Sequence, residues 1–208
     1  MKQKQIINIF YDTITDYTEP IPHAAEHALG LTLLCRGLRT LYRLDLTPDS
    51  VNTQLQIGAH GKPHLTEYPH IHFNISHSHG LVMCAFGNAP LGLDVQKKIS
   101  PRASLIRHCL SPAEQQLYEA CSQTPVLQHE LFCRFWTLKE SLLKCTGIGI
   151  SRKLSSITFQ FPDFPDYSDI RCSESDFYFQ QKLFSRDHVL AVCSQLPIRE
   201  VRFHAPTQ

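Results

Sequence analysis

"HGLVMCA", residues 79–85, returns as "HVLAVCS", residues 188–194. His, Leu and Cys match at an offset of 109 residues, and both pieces are short apolar runs that read as strands. The same offset lays a helical segment at 23–42 onto 132–151. "HAAEHALGLTLLCRGLRTLYRL" (23–44) has apolar residues at helical spacing and lies between Pro22 and Pro48. "LQHELFCRFWTLKESLLKCTG" (127–147) has the same periodicity and ends at Gly147, a residue suited to a helix C-terminus. Two helix-plus-sheet halves joined near residues 96–110 would produce this echo, although three matched positions are also within reach of chance. Further strands are predicted near 5–11, 51–57, 70–76, 91–96, 155–161, 176–183 and 199–204. "LSPAEQQLYEA" opens a helix with Ser111 as N-cap, Pro112 in the first turn and Glu114 as the capping-box acid. "FPDFPDYSD" (161–169) is a loop rich in Pro and Asp.

Composition narrows the function. The chain has 208 residues, enough for one domain or two small packed halves; 42% are apolar and 19% charged, as in a folded soluble protein. Twenty basic residues against nineteen acidic ones give +1, so no global field points to nucleic acid. No run approaches the roughly 20 apolar residues of a membrane span. "MKQKQIINIFYD" lacks a small-residue cleavage site and is not read as a signal peptide. The eight cysteines form no CxxC pair and sit mostly in apolar segments, which fits thiols in a reducing cytoplasm. The even spacing of Cys109, Cys121, Cys133 and Cys145 has no physical account.

Chemistry concentrates in two places. "PLGLDVQKK" (90–98) carries Asp94, the first charged residue after Glu67, with Gln96 two residues on and on the same strand side. In "FWTLKESLLK" (135–144), Trp136, Glu140 and Lys144 share a helix face, Lys139 flanks it, and Phe132, Phe135, Leu138 and Leu142 read as core. Glu140 and Lys144 could be a surface pair worth a few tenths of a kcal/mol. They could instead serve a metal–phosphate site, the carboxylate holding a cation and the lysines neutralising phosphate. "TGIGIS" then supplies glycines where backbone can approach a ligand closely. His70 with His72, and His77 with His79, would share a face if each pair lies on a strand, leaving a zinc hydrolase as a different possibility.

Three stretches together, "HFNISHSHG" (72–80), "PLGLDVQ" (90–96) and "FWTLKESLLKCTGIGI" (135–150), resemble the signature motifs of the 4′-phosphopantetheinyl transferases, of the two-lobed type that activates peptide and polyketide synthases. "HGKPHL" (60–65) and "LSPAEQQL" resemble further family segments, so the likeness runs over roughly 60–160 in the family's order. The resemblance implies an α+β fold of two similar lobes related by a pseudo-twofold, each a small, mainly antiparallel sheet packed on a long helix. Residues 1–96 would form the N-terminal lobe and 97–208 the C-terminal lobe, with the active site between them. It implies a cytoplasmic monomer that uses Mg²⁺ and moves the phosphopantetheine arm of coenzyme A to a serine of an acyl or peptidyl carrier protein. Asp94 and Glu140 would ligate Mg²⁺, and Glu140 would take the serine proton. Lys144 would bind the pyrophosphate with Lys139 nearby, Ser76 and His77 would contact coenzyme A phosphates, and Gly61, Lys62 and Pro63 would line the nucleotide pocket.

Two places depart from the family pattern. Gln96 stands where many members carry a third acid, and would contribute only weakly or through water. "YTEPIPHAAEHALGLTLL", where members usually carry basic residues, has no Lys or Arg. A homologue that binds coenzyme A or carrier without transfer is the competing expectation. From Val95 to Ala113 there are Lys97, Lys98, Arg102 and Arg107 and no acid after Asp94, a basic surface suited to an acidic carrier.

Overall fold

A computed structural model describes residues 3–15, 20–58, 61–147, 149 and 152–206. Two sheets stack face to face and each is covered by one long helix. The first has the strand order β11-β1-β5-β4 and the second β6-β10-β9, with β1 (Gln5–Thr13), β4 (His72–Ser78), β5 (Leu81–Gly87), β6 (Leu91–Lys97), β9 (Tyr178–Leu183), β10 (His188–Ser194) and β11 (Ile198–His204). All neighbours are antiparallel except β1 and β11, which run parallel. Helix α1 (His23–Tyr42) lies on the first sheet, helix α5 (Pro125–Thr146) on the second. The short helices α2 (Pro48–Gln54), α3 (Ala103–Cys109) and α4 (Pro112–Ala120) and the small strands β2 (Leu55–Ile57), β3 (Pro63–Leu65), β7 (Phe159–Gln160) and β8 (Arg171–Cys172) complete the described elements.

Strand alternation builds this layering. Val82, Cys84 and Phe86 of β5 pack with Leu34 and Leu38 of α1, whereas Leu81, Met83 and Ala85 turn to the opposite face. There they meet Ile7 and Ile9 of β1 and Leu91, Leu93, Val95, Leu190 and Val192 of the second sheet. Val189, Ala191 and Cys193 then face Phe135, Leu138 and Leu142 of α5. Strands covered on both faces have no place for charge, which explains the uncharged run before Asp94. The strands of the sequence echo, β5 and β10, each lie inside their sheet, flanked by a strand on both sides.

Where the sheets meet edge to edge, side chains replace a backbone ladder. Asn74, Ser76 and Ser78 alternate along β4, and their oxygens accept the N–H groups of Leu93, Val95 and Lys97 on β6 at 2.8, 3.1 and 3.0 Å. Buried N–H groups that would otherwise lack a partner are thereby satisfied at a period of two.

β6 belongs to the second sheet, and β11 returns to pair with β1 in the first. Several expectations are corrected. Of residues 51–57, expected as strand, 55–57 form β2 but 51–54 belong to helix α2, because Thr47 and Ser50 form a reciprocal capping box with Pro48 in the first turn. Residues 103–109, given no element by the sequence, form α3. His70 and His79 lie outside β4, and His79 sits in the turn with φ 50°, so neither histidine pair shares a strand face. Among the described residues, no group of three or more His, Cys, Asp or Glu could hold a metal ion. His60, Ile148, Ile150 and Ser151 of the quoted motifs lie outside the described residues. All eight cysteines are free thiols. No described helix is long and apolar enough to cross a membrane.

Candidate active site

β6 and α5 approach each other closely at Gly92. A Cβ there would overlap the Ser141 carbonyl oxygen and the Cys145 backbone nitrogen, so only glycine lets the helix lie this near the strand. The approach brings Asp94, on the same strand face as Gly92, under the last turns of α5. The helix ends where Gly147 adopts φ 68° and its N–H caps the Leu143 carbonyl.

Lys144 reaches back from that last turn. Its ammonium donates to Asp94 Oδ1 at 2.6 Å and to Ser76 Oγ at 3.1 Å, and the Ser76 hydroxyl donates to the same carboxylate oxygen at 3.0 Å. Ser76 thus joins the seam with β6 to the acidic centre. Asp94 Oδ2 is buried and has no hydrogen-bond partner among the described residues. Burial pushes the Asp94 carboxyl above its ordinary range, opposed by Lys144, by the Ser76 hydrogen bond and by His77. Glu140, one turn before Lys144, is also pushed up, first by burial and then by the charge of Asp94, with Lys144 opposing. Two carboxylates raised chiefly by burial, one with an orphaned buried oxygen, form a donor set of the hard, anionic kind that Mg²⁺ takes. Gln96 follows on the same strand face, half-buried, with a neutral oxygen to offer.

A cavity of about 210 Å³ opens above this centre, lined by Gly61, Lys62, Pro63, Asn74, Glu140 and Lys144 among others. Lys62 spans its wall: the ammonium donates to the carbonyls of Leu91 at 2.8 Å and Cys145 at 3.2 Å, and burial lowers its pKa. It therefore ties the 61–63 turn to both β6 and the end of α5. His77 points to the other face of β4, where its Nδ1 lies 2.8 Å from Glu26 Oε2. Glu26 Oε1 accepts the Gly80 N–H at 3.0 Å, and the His23 ring lies 5.4 Å from that of His77. The region without Lys or Arg thus places a carboxylate beside His77.

Lys139 corrects an expectation. It is fully buried, facing away from the cavity, and its ammonium donates to Glu114 Oε2 at 2.5 Å, Cys109 O at 2.7 Å and Leu154 O at 3.2 Å. All three of its protons are used, leaving none for a phosphate. Glu114 also accepts the N–H groups of Ser111 and Phe159, both at 2.7 Å. Of the basic surface, Arg102 and Arg107 are exposed, whereas Lys98 lies 3.5 Å from Glu130. Asn74, Glu26 and Glu114 went unassigned to the site or its support in the sequence. The polar alternation Asn74, Ser76, Ser78 within a buried strand was a usable signal; Glu26 gave none.

The family pattern of the 4′-phosphopantetheinyl transferase superfamily matches residues 90–193, half of the chain, from the strand that carries Asp94 to the strand paired with it. This chain belongs to that superfamily. A Bacillus subtilis protein named 4′-phosphopantetheinyl transferase is 28% identical over 179 residues, covering 81% of this chain and 73% of the relative. The psf-1 4′-phosphopantetheinyl transferase of Bacillus pumilus is 29% identical over 176 residues, covering 84% and 72%. A vertebrate relative, the L-aminoadipate-semialdehyde dehydrogenase-phosphopantetheinyl transferase of Xenopus laevis, is 29% identical over 139 residues, covering 61% and 44%.

Proposed function

We propose that this chain transfers the 4′-phosphopantetheine arm of coenzyme A to a serine hydroxyl of an acyl or peptidyl carrier protein, acting as a monomer. The observation that carries the proposal is the convergence of Glu140 and Lys144, which line a cavity, with Asp94 buried just behind Lys144, from two elements held together at Gly92 in a chain of this superfamily.

Asp94 and Glu140 would hold Mg²⁺, with Gln96 as a neutral neighbour directly or through water. When bound, the ion neutralises pyrophosphate charge and stabilises the leaving group. Lys144 places an ammonium in the cavity wall to meet phosphate oxygens. Glu140 accepts the proton of the attacking serine, directly or through a water between them. The serine oxygen bonds to the phosphorus bearing the pantetheine arm, the pyrophosphate bridge to the nucleotide breaks, and adenosine 3′,5′-bisphosphate leaves. The Gly61–Lys62–Pro63 turn gives one wall for the nucleotide, whose position Lys62 fixes through the two carbonyls it binds. Ser76 acts by orienting Asp94 and Lys144, and His77 lies on the opposite face of β4, beside Glu26.

An acidic carrier would approach over Lys97, Lys98, Arg102 and Arg107. Incubation with coenzyme A, Mg²⁺ and a panel of carriers, read by intact mass, tests the proposal. Gain of one phosphopantetheine on a carrier serine is the expected result. Coenzyme A binding with no mass gain on any carrier supports the non-transferring reading.

A further inference from the structure

Asp94 does not line the cavity; Lys144 does. Lys144 has 28% of its side chain exposed, Asp94 only 8%, and the ammonium stands on the carboxylate at 2.6 Å. A cation entering from the cavity therefore meets Lys144 before it reaches Asp94. The carboxylate oxygen that Lys144 leaves alone, Oδ2, is buried without a partner. Lys144 is also the last charged residue before the helix ends at Gly147, on a long side chain that can turn toward the cavity without disturbing the packed face of α5.

We infer that Lys144 is a built-in plug on the cation site: in the empty protein its ammonium serves as counter-ion to Asp94, and it must swing off Asp94 before a divalent cation can use that carboxylate. An anionic donor in the cavity would draw the ammonium away, since a phosphate oxygen offers the charge partner that Asp94 otherwise provides. Cation and donor then assist each other's binding, and the assistance is reciprocal. Ser76, which accepts from Lys144 and donates to Asp94, holds the plugged arrangement in place. This inference rests on the cation-dependent reading given above and adds to it a state in which the site closes itself.

Mn²⁺ alone, followed by electron paramagnetic resonance of the free ion, tests the plug without coenzyme A or carrier. Lys144→Met is expected to raise Mn²⁺ affinity tenfold or more over the unaltered protein. In an Asp94→Asn background the same change is expected to raise it less than twofold, because the carboxylate on which the Lys144 ammonium stands is gone and Glu140 has no such contact with it. That cycle separates a plug from simple through-space repulsion, which would act in both backgrounds. No gain in Lys144→Met, or an equal gain with and without Asp94, overturns the inference. Since the titration contains neither donor nor acceptor, its failure leaves the transferase reading standing, and failure of the carrier assay leaves the titration to be judged alone. Circular dichroism of each variant verifies that the fold is retained.

Discussion

Asp94 carries its charge where burial resists it. Its carboxyl, like that of Glu140, titrates above the ordinary values of 3.8 and 4.5, chiefly because both are withdrawn from water. The folded state thus holds these protons more tightly than the unfolded chain does. Stability conferred this way is greatest in acid, declines as pH rises from the ordinary values to the raised ones, and is flat above them. Asp94→Asn is expected to flatten that decline and to leave the melting temperature at pH 7 unchanged or higher, while abolishing carrier modification. A fall in melting temperature at pH 7 would mean that the pairing with Lys144 outweighs burial. Gln96→Glu would add a third acid on the Asp94 face of β6 and is expected to raise Mg²⁺ affinity, read from the Mg²⁺ dependence of turnover. An unchanged dependence would place Gln96 outside the metal's reach.

Between elements, stability is concentrated at two contacts that a sequence reading renders unequally. The capping box of Ser111 and Glu114 was legible, because the residue order Ser-Pro-Ala-Glu states it. The further partnership of Glu114 with Lys139 was not: it joins residues from two helices, and nothing local in "TLKESLL" tells a buried lysine from one that faces a ligand. Lys139→Met strands a buried carboxylate and is expected to cost about 3–5 kcal/mol in urea unfolding. A loss under about 1 kcal/mol, the scale of a surface pair, would deny the hub its structural role. The second contact is Gly92. Gly92→Ala sets a methyl against helix backbone that cannot step aside, so a loss of about 1–3 kcal/mol is expected, with carrier modification falling further than stability explains, since α5 and β6 each carry part of the site. The helix spans near 23–44 and 127–147 were readable to within two residues from apolar spacing, Pro22 and Gly147. Within 51–57 the strand holds only for 55–57, because the Thr47–Ser50 cap starts a helix that runs through 54.

Across the whole molecule, the chain binds its two sheets together three times: by β6 leaving the first half for the second sheet, by β11 returning to β1, and by the side-chain seam from Asn74 to Ser78. Arg36 of α1 also bonds the Ala205 carbonyl beyond β11. Long-range pairing of this kind leaves no local mark in the sequence. The Asp94, Glu140 and Lys144 set was nevertheless legible, because each member lies in a motif with its own spacing; Glu26 beside His77 was hidden, because only the fold brings α1 to β4. At this scale the exposed Arg102 and Arg107 are the cleaner probes of carrier docking, since Lys98 already faces Glu130. Reversing both arginines to Glu is expected to raise KM for the carrier several-fold and leave KM for coenzyme A within about twofold, as loss of a rim charge does; equal effects on both would count against docking there. The central claim is that Asp94 and its neighbours drive transfer of phosphopantetheine to a carrier. Intact-mass analysis of an apo carrier incubated with coenzyme A, Mg²⁺ and either the unaltered protein or Asp94→Asn measures that directly. The account expects one phosphopantetheine added per carrier by the unaltered protein and none by the variant; equal modification by both, or none by either across fatty-acid, polyketide and peptide carriers, would contradict it.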